Sequence, residues 1–176
     1  MAGPGWLARS VAERVQTVYA MDISDGVLEC ARVINPRENI EYLRADPAGF
    51  AAIADGSLDL VYSVAVIQHL TDAVFEKVLI TCFSKLREKG QLFLHLQLED
   101  ERGKWRTEAE WRRDRSVRGR VKLRFGLNCF ARKAEDARKL VEHHGFYVER
   151  IGRIAEICAQ RFDDVCEQHF MLVRKA

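Results

Sequence analysis

An α/β domain with a mostly parallel sheet and an antiparallel edge is the fold class this sequence predicts. Strand and helix signals alternate along the first hundred residues. Leu58–Ser63 is apolar with little alternation, as in a strand covered on both faces. Two further strand signals near the end of the chain are joined by a polar connection rather than a helix, which predicts the antiparallel pair. The 176 residues, 48% hydrophobic and 31% charged, suit one globular domain over 1–176.

Each element has its own signal. Leu7, Val11 and Val15 recur at helical spacing over 7–14. Thr17–Met21 reads as a buried strand, stopped by Asp22-Ile23-Ser24. Ser24 is placed to cap a helix over Gly26–Val33, which Asn35-Pro36 ends. Ile40–Leu43 is a short strand running into Ala45-Asp46-Pro47, followed by a helical segment around Phe50–Ile53 and the turn Asp55-Gly56-Ser57. After Leu58–Ser63, Thr71-Asp72 opens a helix over Ala73–Leu86. Its expected apolar stripe is Val74, Val78, Leu79, Cys82 and Leu86. Lys89-Gly90 stops that helix, with Gly90 free to take positive φ, and Gln91–Leu96 is the next strand. Lys133–His144 is an amphipathic helix stopped by Gly145, and Phe146–Ile151 and His169–Val173 are the closing strands.

The bulk properties exclude several functions. A formal charge of +2 does not mark a nucleic-acid or membrane partner. The five cysteines (Cys30, Cys82, Cys129, Cys158, Cys166) are scattered without a C-x-x-C pair, which predicts reduced thiols in the cytoplasm and no zinc site. His143 and His144 are neighbours on one helix, about 100° apart, so they make a poor metal pair. No signal peptide or membrane-spanning run is expected.

In open α/β sheets, ligands gather at the carboxyl ends of the strands. Asp22, Asp46, Ser63, His95 and Gln97 stand there. Gly3-Pro4-Gly5 precedes the first helix, where glycines let a ligand approach the backbone closely, and Asp22 lies about twenty residues on, where a carboxylate can accept both hydroxyls of a ribose. Each acid has a plainer reading as the cap of the turn that follows it.

In these segments the chain resembles the class I S-adenosylmethionine (SAM)-dependent methyltransferase superfamily, in its small-molecule branch. Gly3-Pro4-Gly5 resembles the tail of the family's glycine motif, and Val18–Ser24 its second strand with the ribose-binding acid. Ala45-Asp46-Pro47 resembles the adenine contact. Ser57–Ser63 continuing to Leu70 resembles the fourth strand and the loop lining the methionine moiety. Leu86–Leu92 and His144-Gly145-Phe146 resemble the turns into the last strands. The resemblance implies a three-layer Rossmann-like sheet with SAM as cofactor, held by Gly3, Gly5, Asp22, Ile23, Asp46, Pro47, Ser63 and Val64, and no metal. It implies His69 as a candidate general base, with a packed structural histidine as the plainer reading.

From 99 to 124 the chain is basic, carrying Trp105 and Trp111 among ten Arg and Lys residues. The family resemblance makes this interval a substrate-facing cap. Trp105, Trp111, Arg112 and Arg113, with His95 and Gln97, would then hold a small anionic or aromatic acceptor. A nucleic-acid platform or a solvated surface insertion are the other readings, and no membrane partner is expected.

Two other functions compete. An NAD-binding oxidoreductase also uses glycines and a strand-end acid, and a non-catalytic methyltransferase-like scaffold would need neither cofactor nor acceptor. The sequence leaves the acceptor's attacking atom and the oligomeric state open. In the family a buried first strand precedes the glycine motif, and here Met1-Ala2 stands in its place. The expectation is an N-terminally shortened methyltransferase lacking that strand, with Thr17–Met21 and Leu58–Ser63 as the flanking strands.

Overall fold

The computed structural model describes residues 3–99, 105–157 and 168–176. Met1, Ala2, Arg102, Lys104, Cys158 and Cys166, used in the reading above, lie outside the described residues. The chain divides into two compact units, Met1–Ala54 and Asp55–Ala176.

The first unit begins with α1 (Trp6–Ala12), which turns Ala8 and Ala12 inward at i, i+4 spacing. Strand β1 (Val18–Asp22) alternates buried and half-buried residues, and helix α2 (Asp25–Ile34) buries Leu28 and Ala31. Ser24 caps α2 as expected, its hydroxyl accepting from Val27 N at 3.4 Å. Strand β2 (Ile40–Arg44) runs parallel to β1 and is its one ladder partner among the described residues. The short α3 (Pro47–Ala51) follows. Val18, Ala20, Leu28, Ala31, Ile40 and Tyr42 form the core of this unit.

The second unit is built on a sheet of order β3-β4-β7-β6, with β5 beside β4. Its strands are β3 (Leu58–Ser63), β4 (Leu86–Leu98), β5 (Ala131–Arg132), β6 (Phe146–Arg153) and β7 (His169–Lys175). β3 and β5 run parallel to β4, whereas the last strand, β7, is antiparallel to both β4 and β6; the sheet is mixed as expected, but β7 lies between β4 and β6 rather than at the edge. From Leu94 to Leu98 every residue of β4 is buried, so the central strand is covered on both faces. Leu92, Leu94 and Leu96 join Phe75, Leu79, Val141, Met171 and Val173 in the core. The helices are α4 (Asp72–Lys85), α5 (Glu108–Arg113), α6 (Val117–Arg124) and α7 (Ala134–His143).

Three local expectations differ from the structure. β3 is an end strand of its sheet and leaves Leu60 47% exposed, so it is not covered on both faces. α4 buries Phe75, Leu79 and Cys82 and leaves Val74 43% exposed, because the larger Phe75 side chain takes the inward position. At Lys89-Gly90 it is Lys89 that takes positive φ, at 61°. Gly90 is needed for close approach instead: a Cβ there would stand 2.9 Å from the Arg87 carbonyl oxygen.

Candidate functional site

In the first unit, the candidate cofactor residues gather at the carboxyl ends of β1 and β2. Gly3 and Gly5 both have positive φ, 54° and 85°. A Cβ on Gly5 would lie 2.5 Å from the Tyr42 hydroxyl, whereas the space beside Gly3 is open. Asp22 ties this turn to the strand end: Oδ2 accepts from Gly3 N at 3.2 Å and Oδ1 from Ser24 N at 3.1 Å. Its carboxylate is buried and, among the described residues, accepts on two of its about four lone-pair directions. Ile23, next to it, is 63% exposed.

Asp46 acts as the cap of α3, Oδ1 accepting from Gly49 N at 2.9 Å, and Arg44 Nε lies 3.2 Å from Oδ2. Pro47 takes the first position of that helix.

Asn35, which the sequence reading treats only as a helix stop, organises the glycine turn. Fully buried, it donates from Nδ2 to the Pro4 carbonyl at 2.7 Å and accepts from Tyr42 Oη at 2.9 Å through its own carbonyl. Burial raises the Tyr42 pKa, which keeps this hydroxyl a donor.

In the second unit, the candidates lie at the carboxyl ends of β3 and β4. Ser63 is half-buried and Val64 exposed. Ala65 adopts φ 57°, costly for a residue with a Cβ, and its N–H donates to His95 Nδ1 at 3.1 Å. That bond makes Nδ1 the acceptor, so neutral His95 carries its proton on Nε2. Burial pushes the His95 pKa below the ordinary histidine value, with the Gln168 side chain opposing.

His69 has the other tautomer. Its Nδ1 stands 2.7 Å from the Asn128 carbonyl, which can only accept, so Nδ1 holds the proton and Nε2 the lone pair. Its pKa is raised, first by the Cys129 thiol 3.9 Å away, against the effect of burial, and also by the Asn128 carbonyl.

One segment, 130–132, clamps the His69 turn in place. Phe130 N donates to the Gln68 carbonyl at 2.6 Å. Buried Arg132 donates to the Ile67 carbonyl at 3.1 Å, the Leu70 carbonyl at 2.6 Å and Asp72 Oδ1 at 2.8 Å. Gln68 Oε1, His95 Nε2, Gln97 Oε1 and Asn128 Nδ2 are buried here without a hydrogen bond among the described residues. Each such group costs about 1–3 kcal/mol, so this polar cluster suits a polar ligand or water.

Beside it, Trp105, Arg106, Trp111, Lys122, Leu127 and Cys129 line a cleft of about 220 Å³. The Arg106 guanidinium and the Lys122 ammonium stand 5.3 and 5.5 Å from the Trp111 ring centre, and Trp111 Nε1 donates to the Cys129 carbonyl at 2.8 Å. Asp114 neutralises Arg106 at 2.8 Å. Arg112 pairs with Glu108 one helical turn away and, like Arg113, is exposed outside the cleft lining. Arg132, Asn128 and Cys129 are site groups that carry no functional signal in the sequence, and Arg106 stands out there only as one of the ten basic residues of 99–124. Arg132 is marked only as a basic residue directly after the apolar run Cys129-Phe130-Ala131.

The family described as methyltransferase domain matches residues 2–94, more than half of the chain. The chain belongs to that family. Solved structures agree on the fold. An S-adenosylmethionine-dependent methyltransferase from Mesorhizobium loti superposes with a TM-score of 0.66 at 18% identity, over 99% of this chain and 88% of that one. Magnesium protoporphyrin IX methyltransferase from Synechocystis, solved with bound SAH, gives 0.62 at 18% identity, over 99% and 71%. A Haloferax volcanii protein solved in complex with the Trm112 methyltransferase activator gives 0.67 at 15% identity, over 99% and 79%. No curated protein matches the sequence.

The α/β fold with its mixed, mostly parallel sheet is thus the Rossmann-like methyltransferase fold, and the family makes the chain a methyltransferase enzyme, similar in fold to SAM-dependent methyltransferases. The NAD and scaffold alternatives are not favoured. Among the described residues, no helix is long and apolar enough to cross a membrane.

Proposed function

We propose that this methyltransferase domain acts on a small aromatic acceptor carrying one negative charge, bound in the Trp105–Trp111 cleft, with His69 as general base. The cleft carries this reading. About 220 Å³ is below the ~300–1,000 Å³ common for ligand pockets, which favours a compact acceptor. Its walls are indole rings, and with Arg106 neutralised by Asp114, Lys122 is the remaining positive charge of the lining. Arg112 and Arg113 belong to the proposal as an exposed basic rim that steers an anion inward.

The first unit fits the adenosine part of SAM. Asp22 would accept the ribose hydroxyls on its two remaining lone-pair directions. The open space beside Gly3 and the exposed Ile23 face would admit the rest, and Asp46 and Pro47 would border the adenine. Ser63 and Val64 are proposed for the methionine moiety. The cofactor, when bound, supplies an already activated methyl group on a sulfonium, so the chain's tasks are positioning and proton removal. His69 performs the second. Nδ1–H is anchored on the Asn128 carbonyl, and the Nε2 lone pair takes the proton from the acceptor's hydroxyl or amine as the methyl bond forms. In the buried cluster, the Gln97 amide oxygen accepts from the acceptor's polar group and His95 Nε2–H, otherwise turned to the Gln168 side chain, donates to it.

The test is steady-state kinetics over a panel of hydroxybenzoates, aminobenzoates and their neutral analogues. Lys122→Met should raise KM for the anionic members about tenfold or more and leave SAM affinity unchanged. Equal loss for charged and neutral acceptors, or a change in SAM affinity alone, would refute the assignment.

A further inference from the structure

Helix α6 has two apolar edges on opposite sides, and only one of them faces the protein. At about 100° per residue, Gly119 and Leu123 share one side, and they are buried and half-buried. Val117, Val121 and Phe125 fall on the opposite side at i, i+4, i+8 spacing and are 69%, 45% and 67% exposed; Leu127, just past the Gly126 turn, is 64% exposed. A contiguous outward stripe of large apolar side chains is unusual on a soluble surface.

The charges around it are one-sided. From Arg115 to Leu127 the chain has five cations and no carboxylate. On the helical wheel Arg120 and Arg124 flank one margin of the stripe, and Arg118 and Lys122 the other. The nearby acids are already engaged: Glu108 with Arg112, Glu110 with the Thr107 backbone and hydroxyl, Asp114 with Arg106. Arg115, Arg118, Arg120 and Arg124 are exposed and have no ion-pair partner among the described residues.

We infer that α6 with Leu127 is a docking surface for an anionic lipid bilayer. The apolar stripe enters the acyl boundary, while Arg120 and Arg124 on one margin and Arg118 on the other meet lipid phosphates and carboxylates. A cationic helix with an outward apolar face is the pattern that lies in a membrane interface, and it needs no spanning helix. Nucleic acid fits less well. Binding a strand calls for several accessible aromatic platforms, and the exposed stripe is mainly aliphatic: Val117, Val121 and Leu127, with Phe125 its single aromatic ring.

Sedimentation with vesicles tests this on the full chain. Vesicles of phosphatidylcholine mixed with phosphatidylserine should carry the protein down, and phosphatidylcholine alone should not. The double variant Val121→Asp/Phe125→Asp should lower partitioning at least tenfold. Arg118→Gln/Arg120→Gln/Arg124→Gln should lower it roughly a hundredfold, at about fivefold for each cation lost near an anionic surface. All these side chains are exposed, so circular dichroism and melting temperature should match the parent. Absence of vesicle binding, or binding that survives Val121→Asp/Phe125→Asp, overturns the inference. So does a single-stranded oligonucleotide bound at physiological salt without vesicle binding, or a dimer lost in Phe125→Asp without vesicle binding.

Discussion

Replacing Arg132 with alanine should loosen the loop that carries His69, and the structure sets the size of the effect. Its guanidinium is buried and donates to two backbone carbonyls, of Ile67 and Leu70, and to Asp72. Removing it strips both carbonyls of this donor, at about 1–3 kcal/mol each where water does not replace it. The Asp72 side chain is 65% exposed, so that ion pair contributes only about 0–1 kcal/mol. The guanidinium also stands 5.0 Å from the centre of the buried Phe75 ring, a contact of up to about 2 kcal/mol when desolvated. Against these gains runs the cost of keeping a charged group out of water, several kcal/mol, which the alanine variant escapes. The net loss is about 2–4 kcal/mol. For a chain of this length that lowers the melting temperature by roughly 4–16 °C.

Trp105 and Trp111 fluorescence in a Trp6→Phe background reports the second unit, since Trp6 belongs to the first. Arg132→Lys should recover less than half of the loss, because one ammonium cannot reach both carbonyls and the carboxylate in the guanidinium's fork geometry. A melt of Arg132→Ala within a degree or two of the parent would refute this reasoning. So would full rescue by lysine, which would mean that charge alone, without the fork, holds the loop.

Three further outcomes follow from the same geometry. Asp22→Asn should weaken binding of S-adenosylhomocysteine roughly 5- to 150-fold, the equivalent of about 1–3 kcal/mol for a hydrogen bond to a charged group; calorimetric titration showing an unchanged Kd in a folded variant would remove Asp22 from the ribose. For His69, whose pKa is raised, the neutral base is lost as pH falls through a value above the ordinary ~6.5, so the acid limb of kcat/KM should lie above that value and vanish in His69→Gln. The stability contribution has the opposite sense: it is full below the unfolded-state pKa and lost as pH rises through the folded one, which pH-dependent urea melts would show. Gly5→Ala combines a φ of 85° with a Cβ 2.5 Å from the Tyr42 hydroxyl, and should cost about 2 kcal/mol or more in a thermal melt, while Gly3→Ala, in open space, should cost less.

The fold was legible wherever local chemistry and tertiary context agree. Ser24 caps α2, Gly145 stops α7 with φ 83°, and the last strand β7 joins the sheet antiparallel, because each rests on a preference that packing reinforces. The reading of β3 departed from the structure because an apolar run indicates what a strand could bury and not how many neighbours it has. Val74 departed because a periodic pattern leaves the choice between adjacent residues to side-chain volume. The candidate site was legible as strand ends, since topology places Asp22, Ser63 and His95 there from sequence order alone. Asn35, Asn128 and Arg132 were not legible, because their partners lie 31, 59 and 62–65 residues away and no short-range pattern encodes such pairs.

The two histidines show why residue type alone leaves their roles undetermined. Both stand in the second unit near the ends of β3 and β4, and in the sequence only the family resemblance separates them, by making His69 the candidate base. His95 receives a backbone N–H on Nδ1, so it can only donate from Nε2, and burial keeps it neutral. His69 gives its Nδ1 proton to a carbonyl, so it can only accept on Nε2, and its neighbours draw its pKa upward. One imidazole is thereby a fixed hydrogen-bond donor and the other a base whose pKa is raised above the ordinary histidine value. In the proposed function, methyl transfer to a hydroxyl or amine would use both: a donor to hold the acceptor's polar group and a base to take its proton. The difference comes from Ala65 N on one side and Asn128 O on the other, two backbone atoms that no side-chain motif records.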